Sequence, residues 1–430
     1  MKRLVPFILI LVMLIMIPAL AGFATGTGEK VTLRVTNYAQ VEKAFKAIND
    51  AYMKLHPNIE IVYEPTPYDS YQQKFGAHIA TKSGPDIMGN ELSYLWDAAD
   101  SFVPLNDKIK SEPAVFNDLI AYNMLYRYMD PSGPLLGLPM SFNGNVMYFN
   151  KDILRQAGLD PENPPQTWDE FSKACEAIKS KTGKAPIAMA GREVPLFWDW
   201  PEVQKNFFSS DQEILDLGRG KIPWADPRMQ KGLKLLTQMA DNGWFQEGWS
   251  TIQGIPDALD LFSSGGAAFI GSIISDVANW KQYETALGQD KVGVMLWPAV
   301  DPKNPMMKKF SGFQGFPHCI TKWSKHPKEA WEYLKFTVSP EGENLFLQYA
   351  GGQPNNKKFD RSIAGTSKNF AKIQEIIVNN NVQFVLLLSS REQEALARGW
   401  TQYGAGDITI EEWTKQLQDA LEQSRDKKLK

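Results

Sequence analysis

The densest chemistry in the chain is aromatic and carboxylate, not nucleophilic. Phe197-Trp198-Asp199-Trp200-Pro201 places two indoles around one acid. If extended, the segment puts Trp198 and Trp200 on one face, because side chains alternate along a strand. Rings of this kind cover the apolar faces of a small solute. Fixed polar groups must then meet its hydroxyls or amines, because each buried, unpaired polar group costs about 1–3 kcal/mol. In α/β proteins ligands collect beyond the carboxyl ends of strands, so the candidates are residues that follow an expected strand, together with Asn143 and Asn145 after the hinge near Pro139, Phe313 and Gln314 in a glycine-flanked turn, and Gln353 in a Gly-rich loop after a helix. Those that follow a strand are Asn37 and Tyr38, Tyr68, Asn90 and Glu91, and Ser272, Ser275 and Asp276. Asp199, Glu91 and Asp276 would accept from paired hydroxyls or select a cation. Trp168 has a different setting. Thr167 is a good N-cap and Glu170 stands three residues on, so Trp168 is expected to pack at a helix start. Trp331, Trp244, Trp249 and Trp297 are expected to be packing residues.

Signatures of catalysis are missing. The chain has no G-x-x-x-x-G-K-[ST], H-E-x-x-H or G-x-S-x-G run and no EF-hand loop. Its four histidines, His56, His78, His318 and His326, are scattered. Two cysteines exclude a disulfide scaffold and a cysteine-rich metal module. Cys175 shares a helical face with Phe171, Ala174 and Ile178, so a free buried thiol is expected. No cofactor is implied. With 46 basic and 49 acidic residues in 430, there is no bulk attraction to nucleic acid.

The elements that must position these residues follow from periodicity. Met1-Lys2-Arg3, an apolar run from Leu4 to Leu20, and small residues at Ala19, Ala21 and Ala24 have the order of a secretory leader, 1–24. No cysteine follows that run to carry a lipid, so a protein in the periplasm or outside the cell is expected. An uncleaved anchor is the rival reading. Val31–Thr36 alternates as a strand, and Val41, Ala44, Phe45, Ile48, Tyr52 and Leu55 share one helical face. Ile59–Tyr63 and Asp86–Met88 are further strands, with a helix around Ser70–Thr81 between them. This order implies right-handed crossovers and a mostly parallel sheet. After the Gly/Pro-rich stretch from Pro131 to Pro139 the pattern restarts. Strands are expected at Val146–Phe149, Ile187–Ala190, Ala267–Ile270 and Val292–Leu296, with another closing at Ile320. Helices are expected across about 200–245, over 254–264 and at Lys328–Val338. The fold class is α/β, in two lobes.

Several segments in order resemble one family, the solute-binding proteins of sugar-type ABC importers that are similar to maltose-binding protein. They are His56-Pro57-Asn58, Ser83-Gly84-Pro85-Asp86-Ile87, Gly137-Leu138-Pro139 with Tyr148-Phe149-Asn150-Lys151-Asp152, and Thr167-Trp168-Asp169-Glu170-Phe171. Phe262–Ser272, Lys328–Phe336 and Gly352-Gln353-Pro354 complete the series. Two positions depart from the pattern: Ile273 stands where the family carries an aromatic, and Gly266 where it carries lysine.

The resemblance implies a bilobal periplasmic-binding-protein-like fold of type II, two α/β lobes joined by a hinge around a ligand cleft. It implies an N-terminal lobe of 29–140 and 298–328 and a C-terminal lobe of 141–297 and 329–430. Chain crossings are then expected near Met140–Phe142, Val294–Pro298 and Ser324–Lys328, and the Trp198–Trp200 segment on the cleft side of the second lobe. It further implies a monomer that takes a carbohydrate, a di- or oligosaccharide, to the transmembrane subunits of an ABC importer. Two other functions stay open. A secreted glycoside hydrolase needs only two suitably spaced carboxylates, and the cleft could take a polyol, polyamine or metal chelate.

Overall fold

The computed structural model describes residues 29–38, 41–89, 92–120, 125–126, 132–191, 199–252, 254–273, 279–378, 382–384 and 388–428. Its strands are β1 (Val31–Tyr38), β2 (Ile59–Thr66), β3 (Ile87–Gly89), β4 (Leu125–Tyr126), β5 (Leu135–Asn150), β6 (Ala185–Ile187), β7 (Ala267–Ile273), β8 (Val292–Met295), β9 (Phe310–Ile320), β10 (Gln353–Pro354) and β11 (Val382–Phe384). The path through them runs β2-β1-β3-β9-β5-β7-β6.

The first end of the path follows the expected alternation. β1 buries Leu33 and Val35 and pairs parallel with both β2 and β3. The helix Glu42–Leu55 buries Ala44, Phe45, Ile48 and Tyr52 of the face that helical spacing selects, while Leu55 at its end is exposed. At the other end β6 and β7 run parallel. Local signals define the helices there. Asn150 Oδ1 accepts from the amides of Asp152 and Ile153 to start Lys151–Gln156. Thr167 and Glu170 close the expected capping box at Trp168–Thr182, and Gly183 ends that helix at φ 66°.

The middle corrects the expectation of a mostly parallel sheet. β5 is a 16-residue strand, buried along its whole length. It pairs antiparallel with β9, β7 and β8, and β9 pairs antiparallel with β3. β5 and β9 therefore carry the chain from one set of strands to the other in opposite directions. Glycines allow the close approach. A Cβ on Gly144 would lie 2.3 Å from the Phe310 ring, and one on Gly315 would lie 2.2 Å from Ser141 Oγ.

The crossings are also displaced from their expected places. Trp297 and Ala299 still pack with Met147, Phe149 and Trp244. Ala299 N donates to Gln166 O, so the crossing expected at Val294–Pro298 comes later, in β9. Ala330, Trp331, Tyr333 and Leu334 pack with Leu33, Ile61 and Ile87. The helix Pro327–Thr337 thus lies on the first sheet, although residues from 329 onward were expected in the second lobe. The third crossing comes after β10: Gln353 and Pro354 pair with Phe142 and Ser141 of β5, Lys357 N still donates to Asp118 O, and Ser367 and Asn369 then bond to Glu284. Cys175 and Cys319 are free and buried. Among the described residues no helix is long and apolar enough to cross a membrane.

Candidate ligand-binding site

The sequence candidates converge where β5, β7, β9 and β10 meet. Asn143 lies directly opposite Phe313, and Asn145 opposite Ser311 on one side and Ile273 on the other. Gln353 pairs with Phe142, one residue from Asn143. Strands that cross between two lobes thus bring residues far apart in sequence onto adjoining rungs. Asn143, Phe313 and Gln353 are all buried. The Asn143 Oδ1 accepts from the Gly144 amide. The Gln353 amide oxygen accepts from Gln374, while its Nε2 has no partner.

On one face of this junction lies a charged cluster. Gly271 of β7 pairs with Met147, and a Cβ on Gly271 would fall 1.7 Å from Asp199 Oδ1. Only a glycine lets that carboxyl lie against the strand. Asp199 is 1% exposed and its Oδ1 has no partner. Burial, then the neighbouring Glu202, hold its carboxyl well above the usual carboxylate range. Glu202 is paired at 2.7 Å with Lys205, and both are buried. Lys205 Nζ also donates to Lys309 O at 2.8 Å and to Ser311 Oγ at 3.1 Å, which ties the helix Trp200–Lys205 to the start of β9. Asn145 is 1% exposed, and neither its Nδ2 nor its Oδ1 has a partner.

Ser272 lies on the opposite face of β7 from Gly271, since faces alternate along a strand. It is wholly buried and bonded to Asn279 Nδ2 and, at 3.2 Å, to Tyr283 Oη. That places it in a packed polar knot, not on an open surface.

The first lobe supplies Tyr38 at the end of β1. Its ring lies 4.7 Å from Tyr71 and 6.0 Å from Phe316, centroid to centroid. Asn37, its neighbour, accepts from the Tyr63 hydroxyl and meets His318. Sequence reasoning passed over His318, Tyr71 and Phe316. A Gly-Phe-Pro-His run beside a crossing was the available signal.

Trp200 is a core residue. It is 2% exposed, stacks on Trp224 at 5.3 Å and fills the space above Gly232. The paired platform expected from Trp198 and Trp200 therefore does not form, because the chain turns helical at Trp200 and points that ring inward. Trp198, Asn90, Glu91 and Asp276 lie outside the described residues, as does the side chain of Tyr68, which opens the helix Tyr68–Thr81. Trp168, Trp244, Trp249, Trp297 and Trp331 are packing residues. Among the described residues no His/Cys/Asp/Glu group has the arrangement of a metal site.

Residues 36–344 match the family of bacterial extracellular solute-binding proteins. The chain belongs to that family. As a member of that family it is a solute-binding protein, not an enzyme. One relative is the sn-glycerol-3-phosphate-binding periplasmic protein UgpB of Agrobacterium fabrum, 28% identical over 333 residues, 70% of this chain and 73% of UgpB. Among solved structures, a chitin oligosaccharide binding protein superposes with a TM-score of 0.78 at 19% identity, covering 93% of this chain and all of the other. Maltose-bound MalE3 of T. maritima gives 0.75 at 19% identity, covering 91% and 99%. These likenesses establish the bilobal solute-binding fold, into which the β5 and β9 crossings fit.

Proposed function

We propose that this solute-binding protein captures a di- or oligosaccharide between its lobes and hands it, as a monomer, to the transmembrane subunits of an ABC importer. The observation that carries this reading is the strand junction. It sets Asn143, Asn145 and Phe313 on one face of adjoining rungs of the strands that join the lobes, with the Asp199 carboxyl against Gly271 on that face and Gln353 one rung away on the other. The buried Lys205 is neutralised by Glu202. The described junction therefore offers hydrogen bonds and ring faces and no spare cation, which suits an uncharged polyol better than a phosphate ester. Tyr38 and Trp198 are the aromatic partners in this proposal. Tyr68, Asn90, Glu91 and Asp276 are additional polar or ring contacts, and Ser272 supports the wall. In this proposal one lobe comprises 29–138 and 317–364 and the other 145–310 and 367–428, since Lys357 and Asp360 bond to Asp118 and Asn344, and Ser367 and Asn369 to Glu284.

The test is a thermal-shift panel of maltose, chitobiose, raffinose, xylobiose, sn-glycerol 3-phosphate and spermidine. Mass spectrometry of the purified protein would run beside it, to identify any solute carried through. Stabilisation by an intact oligosaccharide is expected. A response confined to glycerol phosphate or to the amine would overturn the carbohydrate assignment.

A further inference from the structure

His318 is wholly buried in β9, yet its ring reaches a strand that β9 does not touch. β3 lies between β9 and β1, and its Gly89 is the residue paired with His318. A Cβ on Gly89 would stand 2.8 Å from His318 Nε2. The bare glycine lets the imidazole pass over β3 and meet Asn37 Nδ2 of β1 at 3.1 Å.

The surrounding bonds settle which ring nitrogen carries the proton. Tyr63 donates its hydroxyl proton to Asn37 Oδ1. The Asn37 amide therefore presents its NH₂ to the histidine, and Nε2 must accept. The proton then sits on Nδ1, which donates to Phe316 O at 2.9 Å. Phe316 has φ of 46°, left-handed backbone that a bulky residue rarely adopts. Its ring lies against Phe346 at 5.6 Å and Tyr38 at 6.0 Å.

We propose that His318, as the Nδ1–H tautomer, is a positioning residue. It holds the carbonyl of the left-handed Phe316 and so sets the aromatic wall at Tyr38. The consequence for binding rests on Tyr38 facing the ligand, as proposed above; the tautomer and the ring contact do not.

The titratable groups around this imidazole are Tyr63 of β2, Tyr71 of the helix Tyr68–Thr81 and the adjacent Cys319. Burial raises all three, so each is neutral. Glu42 of the helix Glu42–Leu55 bears on Tyr63. Burial also lowers His318 to about 4. A second proton on Nε2 would point at the Asn37 NH₂, donor against donor.

Two measurements on the full chain test this. Long-range ¹H–¹⁵N NMR of the wild type, without ligand, should show the Nδ1–H form unchanged from pH 8 to 5. An Nε2–H form, or ordinary titration near 6.5, overturns the proposal. Substitution then separates the two nitrogens, since asparagine mimics Nδ1 and glutamine mimics Nε2. His318→Asn should keep the Phe316–Tyr38 ring contact, read by NOE with Phe and Tyr labelling, and His318→Gln should lose it. Loss in both or in neither overturns the positioning role. With whichever of maltose or chitobiose stabilises the wild type, His318→Gln should weaken binding about tenfold at pH 7 and His318→Asn less than about threefold. If the ring contact behaves as stated and Tyr38→Ala still binds the sugar normally, the ligand reading of Tyr38 has failed and the positioning role stands.

Discussion

Two buried groups make stability respond to pH in opposite senses. Asp199 is held above the usual carboxylate range by burial, then by Glu202. The folded chain therefore keeps a proton that the unfolded chain has released, and stability falls as pH rises above about 4. Asp199→Asn should remove that slope and raise the melting temperature more at pH 8 than at pH 5. Equal shifts at both values would show that the folded carboxyl is already ionised at pH 5 and is not held above the usual range. His318 has the reverse sign. Its folded value is near 4, below the unfolded 6.5. Its contribution is fully present above pH 6.5 and is lost as pH falls through that window, by about 3 kcal/mol in all. Equilibrium denaturation of wild type and His318→Asn between pH 7 and 4 should show the wild type losing this difference. At the same scale the two tryptophans separate. Trp200→Ala removes a core ring stacked on Trp224 and should cost about 3–5 kcal/mol of stability. Trp198→Ala should weaken sugar binding ten- to a hundredfold, roughly 1.4–3 kcal/mol. Unchanged affinity would remove Trp198 from the site.

Elements with a local signal were legible in the sequence; elements defined by distant partners were not. The capping box at Thr167 and the buried face of Glu42–Leu55 depend on spacing within a few residues, and both formed as expected. β5 was read only at its end, Val146–Phe149. Asn143, Gly144 and Asn145 look like a loop until β9 and β7 supply their partners. Asn143 and Asn145, chosen for following the hinge near Pro139, and Phe313, chosen for its glycine-flanked turn, therefore fell at the junction although each lies inside a strand. Trp200 failed because the platform assumes an extended segment, whereas the chain is already helical in Trp200–Lys205 and buries that ring. That helix makes its own test. Lys205 pairs with Glu202 and donates to the backbone and hydroxyl at the start of β9. Lys205→Met leaves a carboxylate buried without its cation and should cost about 3–5 kcal/mol. Adding Glu202→Met should recover most of that loss. A double variant as unstable as the single would mean the bonds to β9, not the ion pair, hold the helix.

At the scale of the molecule, two long strands in opposite directions make the connection between lobes a paired ribbon, which bends more readily than it twists apart. A third pairing at β10 narrows the available motion further. Hinge bending is how a cleft of this kind closes on a solute that touches both lobes only when shut. The ribbon depends on backbones that approach closely at glycine. At Gly144 a side chain would meet both the Phe310 ring and Ser311 O, the latter at 2.5 Å. The obstruction includes backbone and cannot be relieved by a rotamer. Gly144→Ala should therefore cost about 1–3 kcal/mol of stability by overpacking. It should also change the response to sugar, because the obstruction lies within the ribbon that must bend. Small-angle scattering with and without saturating sugar would show the wild type contracting and Gly144→Ala contracting less. If the variant contracts as fully as the wild type, bending is centred elsewhere, and the β10 pairing becomes the place to look for it.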